Sequence, residues 1–224
     1  MGCDHRVVGI TKFCVHPEVW FRNKKRVGGT KKVNFDCIGQ LQPDLIICNK
    51  EENTREMVLE LKKHYNVLVT DINTLEESYS EILKIGEILE ISNTSLIASI
   101  KKSFTKIPKL DGSVAYFIWR DPWMVAGSSN FIHDLLQKMG LKNVFGEFPR
   151  YPQISLELLQ EMNPNYVFLS SEPFPFDQKH MDEIRTYLPE TKIVLVDGEY
   201  FSWYGSRLLG SVEYFNELFK TLSC

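Results

Sequence analysis

Phe35-Asp36-Cys37-Ile38-Gly39-Gln40-Leu41-Gln42-Pro43-Asp44-Leu45-Ile46-Ile47-Cys48 reads as a short helix, a proline that ends it, and a buried strand. The same order returns from Leu156 to Leu169. It sets Asp36 against Glu157, Leu41 against Met162, Pro43 against Pro164 and Ile46 against Val167. Three residues past each strand the pairing sets Glu51 against Glu172, and Asp71 and Asp197 each end the strand that follows. Any helix–proline–strand unit shares part of this pattern, so the duplication favours two like lobes without specifying them.

Outward from these two stretches, apolar runs alternate with amphipathic helical patterns. The strand candidates are Val7–Ile10, Leu45–Cys48, Val67–Thr70, Val114–Trp119, Val167–Ser170 and Ile193–Val196. Helical spacing marks about 34–42, 53–64, 129–140, 155–162, 178–187 and 205–222. Strand–helix–strand alternation predicts an α/β fold with parallel sheets.

One segment departs from that rhythm. From Thr74 to about Lys106 there is no proline and a single glycine, and Leu75, Tyr79, Ile82, Leu89, Leu96, Ile100 and Phe104 recur at helical spacings. Thr74-Leu75-Glu76-Glu77 has the form of a capping box, and Pro108 with Asp111-Gly112 closes the segment. One continuous helix here would run about 50 Å at ~1.5 Å per residue. Two helices broken near Ser92-Asn93-Thr94 are the alternative. Either way the chain divides into a lobe over 1–73, a helical linker over 74–108 and a lobe over 109–224.

Composition narrows the function classes. The 224 residues are 43% apolar and 25% charged, and 26 basic against 29 acidic side chains leave a net charge of −3. That balance gives a polyanion such as nucleic acid nothing to grip. No apolar run approaches the roughly 20 residues of a membrane helix, so the protein is not expected to be membrane-embedded. The start at Met1-Gly2-Cys3 carries no apolar leader. Five scattered cysteines (Cys3, Cys14, Cys37, Cys48 and Cys224) form no C-x-x-C pair, which suggests a reducing, cytoplasmic compartment.

In open parallel sheets, ligands bind beyond the carboxyl ends of the strands. Those loops here are rich in aromatic rings. Trp20-Phe21 follows the first strand, Trp119 ends the fourth with Trp123 close behind, Phe174 follows the fifth, and Trp203-Tyr204 follows the sixth. All four tryptophans sit in such loops or at a strand end, a bias that suits a flat organic ligand or an aromatic interface with another surface. His16 can ligate a metal or simply be solvated. Gly127-Ser128-Ser129-Asn130 can hold an anion or cap a helix. Arg207, in the first turn of the last helix, runs against the helix dipole, and this suits a carboxylate partner or ligand. The Lys50-Glu51-Glu52-Asn53 run reads as a solvated helix start or a contact surface. Phosphate-loop, dinucleotide-turn, nucleophile-elbow and H-E-x-x-H patterns are all missing, so no enzymatic activity is expected.

From about Cys3 to its end, the chain resembles the helical-backbone, or class III, periplasmic binding proteins, the cobalamin-, haem- and siderophore-binding components of ABC importers. The resemblance rests on Val7-Val8-Gly9-Ile10-Thr11, Arg26-Val27-Gly28-Gly29-Thr30, Leu41-Gln42-Pro43-Asp44-Leu45-Ile46, Tyr151-Pro152-Gln153-Ile154-Ser155 and Phe201-Ser202-Trp203-Tyr204-Gly205-Ser206-Arg207. It implies two lobes joined by one long backbone helix, and a cleft between them that closes only slightly. It implies no intrinsic cofactor but a bound corrinoid, haem or ferric siderophore, held by Trp20, Trp119, Trp123, Tyr151, Phe174, Trp203 and Tyr204, with Arg207 at an anionic edge. It also implies a periplasmic location and an ABC permease partner docked through one glutamate per lobe. The candidates are Glu52 and Glu56 in the first lobe and Glu172 and Glu199 in the second.

Three departures qualify these expectations. The usual first strand and helix of the first lobe precede the point where this chain begins, no secretory signal is present, and the docking glutamates align on Arg55 and Ser202. A cytosolic ligand carrier, or an enzyme built on the same cleft, is therefore kept beside the importer reading. An interaction module with an aromatic interface is the third.

Overall fold

A computed structural model describes residues 2–223, so Cys224 lies outside the described residues. The chain divides into two compact units, the first ending at Asp71 and the second beginning at Ile72.

In the first unit, β1 (Gly9–Ile10) pairs parallel with β2 (Lys25–Arg26), with α1 (Glu18–Asn23) between them. After α2 (Phe35–Leu41), β3 (Ile46–Asn49) pairs parallel with β4 (Val67–Thr70), and α3 (Arg55–Leu61) makes the crossover. Asn34 and Thr54 cap α2 and α3, each side chain accepting from a backbone N–H three residues on. The core is small. Ile38, Cys48, Met57, Val58 and Leu61 are buried, with Val27, Val33, Ile46, Tyr65, Val67 and Val69 packed around them. Burial pushes the Cys48 thiol pKa up, so this cysteine acts as a small apolar side chain.

The second unit opens with α4 (Leu75–Ile88) and α5 (Thr94–Phe104). The capping box at Thr74 forms as the sequence suggests, with Glu77 N–H donating to Thr74 Oγ1 at 3.1 Å and the Glu77 carboxylate accepting from Thr74 N–H. The single 50 Å helix does not form, and the alternative break is the one observed. Helix α4 ends in a Schellman motif, in which Ile91 N–H donates to Gly86 O at 2.8 Å and Glu90 N–H to Glu87 O at 3.1 Å. Glu90 takes the left-handed conformation this requires, at φ 56°. The buried Asn93 amide then donates to Ile82 O at 2.8 Å, tying the reversing chain back onto the helix it has left. Only a glycine at position 86 leaves room, since a Cβ there would lie 2.6 Å from Asn93 Nδ2 and 2.7 Å from Ile91 O. Both helices pack into the second unit's own core.

A mixed sheet follows, from β5 (Ser113–Trp119), β6 (Met124–Val125), β7 (Lys142–Asn143), β8 (Tyr166–Ser170) and β9 (Lys192–Val196). Its order is β6-β5-β8-β9 with β7 also on β5, and every pairing is parallel except β5 with β6. Alternate residues feed opposite faces, as the period of a strand demands. Val114, Tyr116, Phe168 and Val196 face a core shared with α4, α5, α6 (Phe131–Lys138) and α10 (Leu208–Ser223). Ala115, Phe117, Val167, Leu169 and Ile193 face a second core with α7 (Leu156–Met162) and α8 (Gln178–Arg185). The sheet is thus buried on both faces, which is why these strands read as unbroken apolar runs.

Candidate functional site

In the first unit, the loop after β3 is organised by asparagine. Asn49 Oδ1 accepts from Glu51 N–H at 2.8 Å and Glu52 N–H at 3.3 Å, while its amide donates to Thr70 Oγ1 at 3.1 Å. Asn53 accepts from Asn49 N–H at 2.7 Å and donates to Thr30 O at 2.8 Å. Lys50 and Asp71 pair across the ends of β3 and β4. Glu52 and Glu56 point to solvent. Trp20 lies in α1 rather than in a loop, and its indole N–H donates to Asp4 Oδ1 at 3.2 Å.

In the second unit, the end of β5 and the loop after β8 bring Trp119 and Phe174 together, edge to face at 5.6 Å between centroids. Trp119 keeps 39% of its surface exposed. Trp123 does not join them. At 8% exposed it is a core residue, stacked on Phe176 at 6.0 Å, edge-on to Phe117 at 5.4 Å and covered by the Arg120 guanidinium at 4.4 Å. Apolar neighbours on β5 and after β8 draw the ring inward, and position in a loop does not reveal this. Tyr151 lies half-buried with the Arg150 guanidinium 5.6 Å from its ring centre, and Tyr204 packs edge-on against Phe131 at 5.3 Å.

The loop after β9 carries a short helix, α9 (Glu199–Ser202), and then Trp203. Glu172 Oε1 accepts from Trp203 Nε1–H at 2.8 Å and from the Ser202 hydroxyl at 2.7 Å. Burial pushes the Glu172 carboxyl pKa up, opposed by the Ser202 and Trp203 hydrogen bonds and reinforced by the nearby Glu199 and Asp197 charges. Glu199 pairs with Arg207, whose guanidinium lies 4.7 Å above the Tyr200 ring. Tyr200 stacks in turn on Tyr214 at 4.5 Å, and the Tyr214 hydroxyl accepts from Asp197 N–H at 2.7 Å. Glu172 and Glu199, the carboxylates expected to meet a partner, are both engaged by side chains of their own unit. Arg207 likewise meets a carboxylate of its own chain, and it stands just ahead of α10 rather than inside it. Beside these loops, Ser171, Phe176, Leu195, Val196, Asp197 and Glu199 line a cavity of about 490 Å³ at the carboxyl ends of β8 and β9.

Gly127-Ser128-Ser129-Asn130 is a helix cap. Asn130 Oδ1 accepts from His133 N–H at 2.9 Å, and its amide donates to Gly127 O, Ser128 O and Arg150 O. His133 Nδ1 lies 3.2 Å from the Asn143 amide, and burial pushes the His133 pKa down. His16 is exposed, and among the described residues no three His, Cys, Asp or Glu side chains gather as a metal site. Sequence reasoning did not single out Ser170 or Gly198 as parts of this region, and met Ser202 only within the family stretch and as the position aligned with a docking glutamate. Of the first two, only Gly198, two residues past a strand end, carried a signal.

Two α/β units on parallel strands, with ring faces on the strand-end loops of the second, define a small-molecule-binding architecture. The chain matches the periplasmic binding protein family over residues 1–186 and belongs to it. No match was found among curated proteins. Among solved structures it is similar to the periplasmic vitamin B12 binding protein BtuF of Vibrio cholerae, at 17% identity and TM-score 0.73 over 96% of this chain and 89% of that one. A possible iron-binding (periplasmic solute-binding) protein from Staphylococcus epidermidis gives 21%, TM-score 0.77, and 98% and 93% coverage. The periplasmic heme binding protein HutB of Vibrio cholerae gives 18%, TM-score 0.76, and 97% and 92%. At these identities the likeness establishes the fold. Among the described residues no helix is long and apolar enough to cross a membrane.

Proposed function

We propose that this protein is the substrate-binding component of an ABC importer, and that it captures a corrinoid, haem or ferric siderophore without covalent chemistry. The observation that carries this reading is the set of ring faces on the carboxyl-end loops of the second unit: Trp119 with Phe174, and Trp203 held by Glu172. A macrocycle or aromatic chelate is bound by such faces through stacking and apolar burial, with few polar groups to orient it. Trp20, Tyr151 and Tyr204 are further contacts under this proposal. The similar structures that are named for vitamin B12, heme and iron support the same class of ligand. The family supports a periplasmic location, and the exposed Glu52 and Glu56 are the carboxylates proposed to meet a permease.

Absorbance and tryptophan-fluorescence titrations with cyanocobalamin, hemin and a ferric hydroxamate test the proposal. Saturable binding of one of the three is expected, weakened roughly tenfold or more in Trp203→Ala by the loss of a buried ring contact. No saturable binding of any of them, or equal binding by Trp203→Ala and Trp119→Ala, refutes it.

A further inference from the structure

We infer that Glu172 is a positioning residue, whose carboxylate fixes the Trp203 indole in one orientation at the ligand-facing loops. The inference deepens the proposed binding function and rests on it for the identity of what Trp203 meets. An indole N–H is donor only, so the partner it finds decides which way the ring plane turns. Here the partner is a carboxylate oxygen at 2.8 Å that also receives the Ser202 hydroxyl at 2.7 Å. Two donors from successive residues thus converge on one acceptor, and a hydrogen bond to an ionised group is stronger than a neutral one.

Glu172 is itself held from behind. The fully buried Ser170 hydroxyl donates to Glu172 O at 2.6 Å and lies 3.2 Å from the Tyr116 hydroxyl beneath the sheet. Ser171 Oγ accepts from Gly198 N–H at 3.0 Å, joining the loops after β8 and β9. Gly198 is where the two loops come closest. A Cβ there would collide with Ser170 Oγ and come within 2.8 Å of Glu172 Cγ. A chain from the core tyrosine through Ser170 to Glu172 therefore ends on the tryptophan.

The groups facing Glu172 are Asp197 and Glu199 from the loop after β9, with Arg207 paired to Glu199, and the Tyr116 hydroxyl from β5 through Ser170. Trp203 and Ser202 supply its hydrogen-bond donors.

Nitrogen–proton correlation spectra of the whole protein test the inference, with the Trp203 indole signal assigned by Trp203→Phe. In the native protein that signal shifts with pH as Glu172 titrates, and the shift vanishes in Glu172→Gln. In Glu172→Ala the indole proton exchanges with solvent at least about tenfold faster, as expected for loss of a charge-assisted bond. A Trp203 signal that ignores pH in the native protein overturns the inference without any variant having to fold. Unchanged exchange in Glu172→Ala also overturns it. Hemin or cyanocobalamin titration then separates the two ideas. Native binding weakened about tenfold in Glu172→Ala supports the positioning role, and equal affinity refutes it. If the native protein binds neither probe, the ligand proposal fails while the spectra still decide what Glu172 does.

Discussion

Glu172 shows how far a single residue can be read from sequence. Its place after a strand end is legible, yet whether its carboxylate meets solvent or folds back onto its own loop depends on Ser202 and Trp203, some 30 residues away. Trp123 makes the same point for an aromatic side chain, because the ring of Phe176 that draws it inward comes from another loop. Trp119 and Phe174 meet because adjacent parallel strands deliver their carboxyl ends to the same edge. The raised Glu172 pKa has a thermodynamic consequence. The folded state holds the proton more tightly than the unfolded chain, so this group's contribution to stability is full below the unfolded pKa and is lost as pH rises through the folded one. Urea unfolding from about pH 4 to about pH 8 should therefore show native stability falling relative to Glu172→Gln as pH rises. A constant difference across that range contradicts the assignment. Gly198→Ala should cost about 1–3 kcal/mol in the same assay, because the added methyl overpacks a closed contact.

At the scale of elements, the long strands and the amphipathic helices were readable because burial on one or both faces writes a period into the sequence. The two-residue strands β2, β6 and β7 were not, since a pair of residues has no period. The helix pair α4–α5 lies between these cases. Its apolar spacing runs through the break, and the feature that ends α4 is a non-glycine residue in the left-handed region, which weakens the usual stop signal. This yields two opposed predictions. Glu90→Gly should raise stability by up to about 1 kcal/mol, because glycine adopts the left-handed conformation without a Cβ clash. Gly86→Ala, which in an open helix interior gains about 1 kcal/mol, should instead lower stability by about 1–3 kcal/mol as the methyl meets Asn93 and Ile91. Thermal unfolding of both variants is the check, and a stabilising Gly86→Ala contradicts this account of the break.

For the whole molecule, the internal likeness extends further than its apolar pattern. Asn34 and Ser155 cap α2 and α7 in the same way, and Gln42 and Asn163 both end their helices left-handed, at φ 45° and 41°, with N–H groups donating to Ile38 O and Leu159 O. Equivalent stops before equivalent strands explain why the duplication was visible. The two units nevertheless differ in how much they bury. The second encloses a sheet between two cores, with Tyr116, Phe117, Phe145, Phe168, Phe201 and Phe215 almost fully buried and every buried member of those cores drawn from its own residues. The first has one cluster of five buried core residues around two separate strand pairs. Each large apolar side chain contributes about 1.5–3 kcal/mol on burial, set against a backbone entropy cost of about 1–2 kcal/mol for every ordered residue. The second unit meets that cost from its own interior and the first has little with which to do so. Residues 72–224 expressed alone should therefore unfold in one cooperative thermal transition by circular dichroism, while residues 1–71 alone should show none. Loss of the transition in the longer fragment would mean that its core depends on the first unit, contrary to the packing observed within it.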